Sequence, residues 1–192
     1  MSSTPLSRRR LLRGLVAAPV LGLAPALIAA RPARAASGAV IDASVDRAFN
    51  ALYNSVRGSQ ELAGRAKGIL IMPEITKAGL LLGGSYGEGA LRVNGTTVGY
   101  WSVAAASFGL QAGVQKTSQA LFFMTTNALE RFRRADGWEL GAGAEVTVPK
   151  DGLTLEVNTT VTNKPVIAMT FGQDGFMAGV SFEGAKYSPI VR

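Results

Sequence analysis

Apolar residues recur at intervals of three and four near residue 40 and predict an amphipathic helix. They are Ile41, Val45, Ala48, Phe49, Leu52, Tyr53 and Val56. This spacing places them on one face of a helix. Asp42 or Ser44 could cap its start, and Gly58 could end it. Residues 68–72 form a short apolar run that stops at Pro73, which is typical of a buried strand.

Turn signals recur at hairpin intervals further along the chain. Asn94-Gly95 is the strongest, because both residues tolerate a positive φ between two strands. Strands are predicted over residues 78–93, 96–103, 107–115, 119–124, 138–148, 153–161, 166–171 and 176–182, with a turn at 116–118. A short helix is predicted over residues 128–134, capped by Asn127 and followed by Asp136-Gly137.

This order of elements predicts an α+β fold rather than alternating βαβ units. Residues 36–192 contain 21 glycines, many of them inside predicted strands. Glycine weakens a strand interior, so it indicates curvature, a bulge or a close approach of backbones. We therefore expect one domain over residues 36–192. Its Gly-rich antiparallel sheet would be strongly curved and partly barrel-like, with an N-terminal helix and one short helix.

Residues 1–35 have the three-part pattern of an export signal. A basic stretch containing Arg8 and Arg9 precedes a 17-residue apolar run, and a small-residue triplet ends at Ala35. The order Ser-Arg-Arg-x-Leu-Leu resembles a bacterial twin-arginine signal. The alternative is a membrane-spanning helix, but the run contains two prolines and spanning needs roughly 20 apolar residues. We expect cleavage after Ala35 and an exported, periplasmic protein that, without cysteine, is not a lipoprotein.

Most of the net charge belongs to this segment. The 192 residues carry 20 Lys and Arg against 13 Asp and Glu, and six arginines but no acidic residue lie within residues 1–35. The rest of the chain has a net charge of +1, which lacks the broad positive field of nucleic-acid binders. Because His and Cys are absent, imidazole and thiolate catalysis, zinc ribbons, histidine metal sites and disulfides are excluded. We expect no enzyme activity, no cofactor, no metal and no nucleic-acid partner.

A set of ordered blocks resembles the SYLF domain, also called the Ysc84-like or DUF500 domain. The blocks are Ala-Lys-Gly-Ile-Leu-Ile-Met-Pro at 66–73, Lys-Ala-Gly at 77–79, Gly-Gly-Ser-Tyr-Gly-Glu-Gly at 83–89, Gly-Tyr-Trp-Ser at 99–102, Ala-Ser-Phe-Gly-Leu-Gln-Ala-Gly at 106–113, Leu-Glu-Arg-Phe at 129–132 and Gly-Phe-Met-Ala-Gly-Val-Ser-Phe-Glu-Gly at 175–184. The resemblance implies that family's fold and an affinity for membrane lipids, phosphoinositides in particular. Some eukaryotic members that also carry an SH3 domain bind actin filaments. This sequence shows no SH3 block, and a periplasmic protein would meet no actin. The resemblance therefore implies a lipid or membrane-surface affinity rather than the eukaryotic ligand.

Basic residues supply the candidates for a lipid headgroup site. Arg131, Arg133 and Arg134 form the densest basic cluster outside residues 1–35, with Phe132 available to enter a membrane interface. A purely structural explanation of this cluster is a favourable interaction of the arginines with the dipole at a helix C-terminus. The functional alternative is contact with an anionic headgroup. Lys67 and Lys77 are further headgroup candidates.

Glu88, between two glycines in an apolar run, predicts a buried carboxylate that needs a cation such as Lys67, Lys77 or Arg92. The glycines around it lack the spacing of a phosphate-binding loop, which favours a kinked strand. Ser107 has no general base near it in sequence, which favours a structural role.

Four aromatic residues leave two interpretations open. Trp101, Phe108, Phe122 and Phe123 could belong to the core or could line an acyl-chain pocket, because lipid sites are mostly apolar. The sequence predicts a non-enzymatic domain that binds anionic phospholipid or a membrane surface in the cell envelope. The alternative is an envelope structural or protein-interaction module with a protein partner.

Replacing Arg8 and Arg9 by lysine tests the predicted export route. The receptor of the twin-arginine route reads the arginine pair rather than charge alone, so we expect the R8K/R9K protein to stay in the cytoplasm as an unprocessed precursor. Immunoblotting of cell fractions measures this. Normal export of the variant would show that the protein uses another route.

Overall fold

A computed structural model describes residues 36–79, 82–108, 113–139, 146–147, 164–172 and 184–192. All of them belong to one compact unit, Ala35–Arg192. The predicted export signal and the strands predicted over residues 153–161 and 176–182 lie outside the described residues, as does most of the segment 138–148.

The described residues form one sheet with helices on both of its faces. The helices are α1 (Gly38–Ser55), α2 (Ser59–Arg65) and α3 (Thr126–Arg134), and the strands are β1 (Gly68–Gly79), β2 (Leu82–Val93), β3 (Thr96–Phe108), β4 (Gly113–Phe123), β5 (Trp138–Glu139), β6 (Val146–Thr147), β7 (Val166–Phe171) and β8 (Lys186–Ile190). Their order in the sheet is β5-β8-β3-β2-β1-β4-β7-β6. Each described pair of neighbours is antiparallel except β6 and β7. The predicted α+β class with a curved, mainly antiparallel sheet is confirmed.

A single hydrogen bond shows how strongly the sheet is curved. The Tyr187 hydroxyl on β8 donates to Gln119 Oε1 on β4 at 2.9 Å. Three strands lie between β8 and β4, so a flat sheet would separate them by about 19 Å. The two side chains can meet only because the sheet curls into a half-barrel with both on its concave face.

Each face of the curled sheet has its own core. On the concave face, α3 packs against alternate strand residues that include Leu70, Leu91, Trp101, Leu121, Phe123 and Tyr187. On the convex face, α1 and α2 pack against the intervening residues, which include Ile69, Ile71, Ala90, Ala120, Phe122 and Ile167. All six residues of β7 are buried because the strand contributes to both cores.

A bulge at Pro73 lets β1 continue through a residue that lacks an N–H. The pairing of β1 with both neighbours shifts between Ile71 and Ile75, and the Pro73 carbonyl accepts a hydrogen bond from the Ser118 hydroxyl at 2.7 Å. The prediction that the strand ends at Pro73 is therefore wrong. The proline sits at the bulge, where ladder hydrogen bonds are already missing.

Gly87 and Gly89 lie where β2 passes this bulge. A Cβ on Gly89 would lie 1.9 Å from Ile71 O, and one on Gly87 would lie 2.6 Å from Glu74 O. Both positions therefore exclude any side chain. The interpretation of this Gly-rich segment as a kinked strand rather than a phosphate-binding loop is confirmed.

Several predicted boundaries differ from the structure. The predicted turn at 116–118 is wrong, because these residues lie inside β4, where Lys116 and Thr117 pair with β1 and Ser118 pairs with β7. The predicted break between the strands at 96–103 and 107–115 is also wrong. Strand β3 runs without interruption from Thr96 to Phe108, and the next strand, β4, begins at Gly113. Helix α2 and strand β8 were not predicted. The Asn94-Gly95 turn is confirmed, with φ of 50° and 78°.

The predicted helix caps are also wrong. Ser37 precedes α1 as its N-cap residue, and Gly58, with φ of 87°, stands before α2. At α3, the Thr125 hydroxyl accepts the hydrogen bond from Ala128 N at 3.2 Å, so Thr125 rather than Asn127 is the cap.

Asp42, a predicted cap, instead joins α1 to the β2–β3 hairpin. Its carboxylate accepts hydrogen bonds from Thr97 Oγ1 at 2.7 Å and Tyr100 Oη at 2.8 Å, and lies 3.3 Å from Arg92 Nη2. Burial favours the neutral acid, but these hydrogen bonds and the Arg92 charge outweigh burial. The pKa of Asp42 is therefore lowered.

Substitution of Gly89 by alanine tests the close approach at the bulge. Because the new Cβ would overlap backbone atoms of β1, we expect the free energy of unfolding to fall by at least about 2 kcal/mol. The matched control is Gly64→Ala in α2, where a Cβ meets no atom within 4 Å. It should leave stability unchanged or raise it by up to about 1 kcal/mol. Equal denaturation midpoints for the two variants would contradict this account of the bulge.

Asp42→Asn should weaken the attachment of α1 in a pH-dependent manner. At pH 7 we expect a loss of about 1–2 kcal/mol in unfolding free energy, because the charged hydrogen-bond acceptor is removed. Since the pKa of Asp42 is lowered by folding, its stabilisation is complete above the unfolded value of about 3.9 and disappears as pH falls through the folded value. The gap between wild type and variant in urea denaturation should therefore close below pH 4. A gap that is constant from pH 7 to pH 2 would show that the carboxylate charge is irrelevant.

Candidate functional site

Phe132 fixes the position of the basic helix α3. Its side chain is fully buried, with ring centroids 4.8 Å from Phe123, 5.2 Å from Trp101 and 5.4 Å from Trp138. The prediction that Phe132 enters a membrane interface is therefore wrong. The ring packs inside the half-barrel and holds one face of α3 against the sheet.

The opposite side of α3 carries the predicted arginines, which we call the α3 arginine cluster: Arg131, Arg133 and Arg134. All three are exposed and lie in the last turn, where they interact favourably with the helix dipole. Glu130 Oε2 lies 3.0 Å from Arg134 Nη2, and Glu130 Oε1 lies 3.8 Å from Arg133 Nη1. One carboxylate therefore offsets part of the charge of the cluster.

Lys67 and Lys77 do not join into a single headgroup site. Both are exposed. Ten residues separate them along β1, which corresponds to about 33 Å in an extended strand. Lys67 lies at the end nearer α3, because its main-chain N–H donates to Phe123 O at 2.8 Å. Of the two lysines, Lys67 is therefore the one that could supplement the α3 arginine cluster.

The predicted aromatic pocket candidates lie in two different cores. Trp101 and Phe123 pack around Phe132 on the concave face, whereas Phe122 is buried beneath α1 on the convex face. These three side chains cannot line one pocket because the sheet separates them. Phe108 ends β3, and its side chain lies outside the described residues, as does that of Ser107.

Glu88 is mostly buried and paired, but not with a predicted partner. Its side chain is 17% exposed, and Oε1 lies 2.5 Å from Arg192 Nη2 and 2.7 Å from Tyr86 Oη. The predicted partners Lys67, Lys77 and Arg92 are not among these contacts. Arg92 instead pairs with Asp42 and Asp46 on α1. The partner escaped prediction because Arg192 is 104 residues away and reaches Glu88 only through the pairing of β8 with β3.

A groove that the sequence did not reveal opens between α1, α2 and the β2–β3 turn. Its volume is about 640 Å³, and we call it the α1–α2 groove; its lining residues include Asp46, Phe49, Tyr53, Ala63, Gly64 and Arg92. The Phe49 and Tyr53 rings are 5.8 Å apart and tilted by 45°. Burial raises the pKa of Tyr53. Asp46 Oδ1 lies 2.8 Å from Arg92 Nη2.

The described part of the chain contains neither a metal-binding cluster nor a membrane-spanning helix. No group of three or more acidic side chains there could hold a metal ion. Nor do the described helices include one long and apolar enough to cross a membrane.

The comparison with known families points to the half of the sheet that surrounds α3. Residues 104–190 match the Ysc84 family, described as "Las17-binding protein actin regulator". The matched segment starts within β3, contains β4, α3 and β7, and ends with β8. No curated protein matches the chain. Over residues 104–190 the chain is therefore similar to the Ysc84 (SYLF) family, which confirms the SYLF resemblance of its sequence blocks.

Proposed function

We propose that this protein is a non-enzymatic domain that docks on anionic phospholipid surfaces through the α3 arginine cluster. The observation that carries the proposal is the exposure of three arginines on one turn of a helix whose other face is held by Phe132. A rigidly placed set of guanidinium groups can contact several phosphates at once without first being ordered.

The burial of Phe132 makes this attachment electrostatic rather than hydrophobic. Each basic residue near an anionic membrane contributes about 1 kcal/mol. Glu130, paired with two of the three arginines, reduces the total. Attachment through the cluster is therefore weak and reversible, and it requires a high local density of anionic headgroups.

The proposed location of this activity is the bacterial cell envelope. It follows from the pattern of residues 1–35, whose twin-arginine-like signal would deliver the protein to the periplasm. The family's description refers to actin regulation and Las17 binding. An exported protein would meet neither actin nor a cytoplasmic regulator of it, so we extend only the membrane-surface affinity to this chain.

Changing the cluster to glutamine tests the proposal. We expect the protein to co-sediment with phosphatidylglycerol vesicles at low salt, and the R131Q/R133Q/R134Q variant to lose at least about tenfold in affinity. Binding should also fall between 50 and 300 mM NaCl, because exposed charges act within roughly 8 Å at physiological salt. Phosphatidylcholine vesicles should bind poorly through this cluster.

The matched control removes the same charge from the other face. Arg47, Arg57 and Arg65 are exposed on or beside α1 and α2, so R47Q/R57Q/R65Q lowers net charge equally without touching α3. Equal losses in the two variants would show that only net charge matters. Sedimentation of the α3 variant that does not respond to salt would refute docking through the cluster.

A further inference from the structure

We propose that the α1–α2 groove binds an alkylammonium group, held between the Phe49 and Tyr53 rings and the Asp46 carboxylate. This inference does not depend on the α3 arginine cluster, which lies on the other face of the sheet and attracts the opposite charge.

The aromatic side chains provide the first element of the site. Phe49 and Tyr53 are four residues apart on α1, so they lie on the same side of the helix, and both line the groove. Each is only partly buried although it packs at the border of the convex core. Ring faces attract a cation whose centre lies within about 6 Å, most strongly when the cation carries little water. Alkylated ammonium groups meet that condition.

The local charge provides the second element. Asp46 lies three residues before Phe49, and its side chain is 63% exposed. Within the described contacts only its Oδ1 is paired, with Arg92. Arg92 also faces Asp42, so one guanidinium faces two carboxylates and this network has a net charge of −1. On α2, Arg65 is offset by Glu61 at 2.6 Å.

The shape of the groove provides the third element. Its volume of about 640 Å³ lies in the range of small-molecule sites and exceeds what a trimethylammonium group needs. Ala63, Ala66 and Ile69 offer apolar contacts to methyl and methylene groups. A Cβ on Gly64 would meet no atom within 4 Å, so the groove is open at this position.

The shared chemistry is an ammonium with alkyl substituents. It could be the headgroup of a zwitterionic phospholipid or a free soluble amine. A guanidinium that is already paired with two carboxylates is a poor anion receptor, so we do not assign the groove to a phosphate.

Titration with tetramethylammonium chloride, monitored by NMR at constant ionic strength, tests the site directly. We expect saturable shifts of the Phe49 and Tyr53 ring resonances with a dissociation constant in the millimolar range. Tyr53→Leu and Asp46→Asn should each weaken binding by about fivefold. Gly64→Leu should abolish it, because the new side chain enters open space in the groove without disturbing the core.

The controls separate this site from general effects. Tyr86→Leu removes a tyrosine that is 52% exposed on β2 and should leave the titration unchanged. The R131Q/R133Q/R134Q protein should also bind tetramethylammonium normally, which distinguishes failure of this site from failure of the proposed membrane docking. Unchanged circular dichroism of the Gly64→Leu protein verifies its fold.

Vesicle experiments identify the source of the ammonium group. If it is a lipid headgroup, phosphatidylcholine vesicles will retain the wild-type protein but not the Gly64→Leu variant. If it is a free amine, tetramethylammonium will bind while phosphatidylcholine vesicles do not. The proposal is overturned if the ring resonances show no saturable shift up to about 50 mM probe, or if the Gly64→Leu protein binds as the wild type does.

Discussion

The packing of Phe132 inside the curled sheet is the interaction on which the rest of the structure depends. Rings from β3, β4 and β5 surround it, and these strands could not reach one another across a flat sheet. The Tyr187–Gln119 hydrogen bond closes the same interior. Curvature in turn requires backbones to approach at the β1 bulge, where only glycine fits. The position of the α3 arginine cluster is thus a consequence of how tightly the sheet bends.

Local signals were sufficient to predict some elements of this fold. The Asn94-Gly95 turn, the apolar face of α1 and the buried strand β7 each rest on a pattern within a few residues. Pro73 and residues 116–118 misled prediction because their local preference for a break is overridden by the pairing of β1 and β4 with each other and with their outer neighbours β2 and β7. The short helix α2 offers only one residue, Leu62, that is both apolar and fully buried, so its seven residues carry almost no periodic signal.

The candidate sites, too, were predictable only where their residues lie close together in the sequence. The α3 arginine cluster is contiguous in sequence, so composition alone located it. Phe132 was assigned the wrong environment because the rings that bury it belong to other segments of the chain. The α1–α2 groove draws residues from α1, α2 and the β2–β3 turn. Phe49 and Tyr53 were correctly placed on the apolar face of α1. The helical period does not show, however, which residues of that face are only partly covered by the rest of the protein.

The bulge at Pro73 also divides the long strands into two regions with different surroundings. On the side of Ile71 the strands are covered by helices on both faces, and residues such as Leu70, Leu91 and Leu121 are fully buried. On the side of Glu74 many are exposed, including Lys77, Tyr86 and Ala104. Amide protection against hydrogen exchange reflects such differences in local opening. In each of the strands β1 to β4, amides on the Ile71 side should therefore exchange slowly and amides on the Glu74 side should exchange faster. A single proline sets the boundary between the two regions.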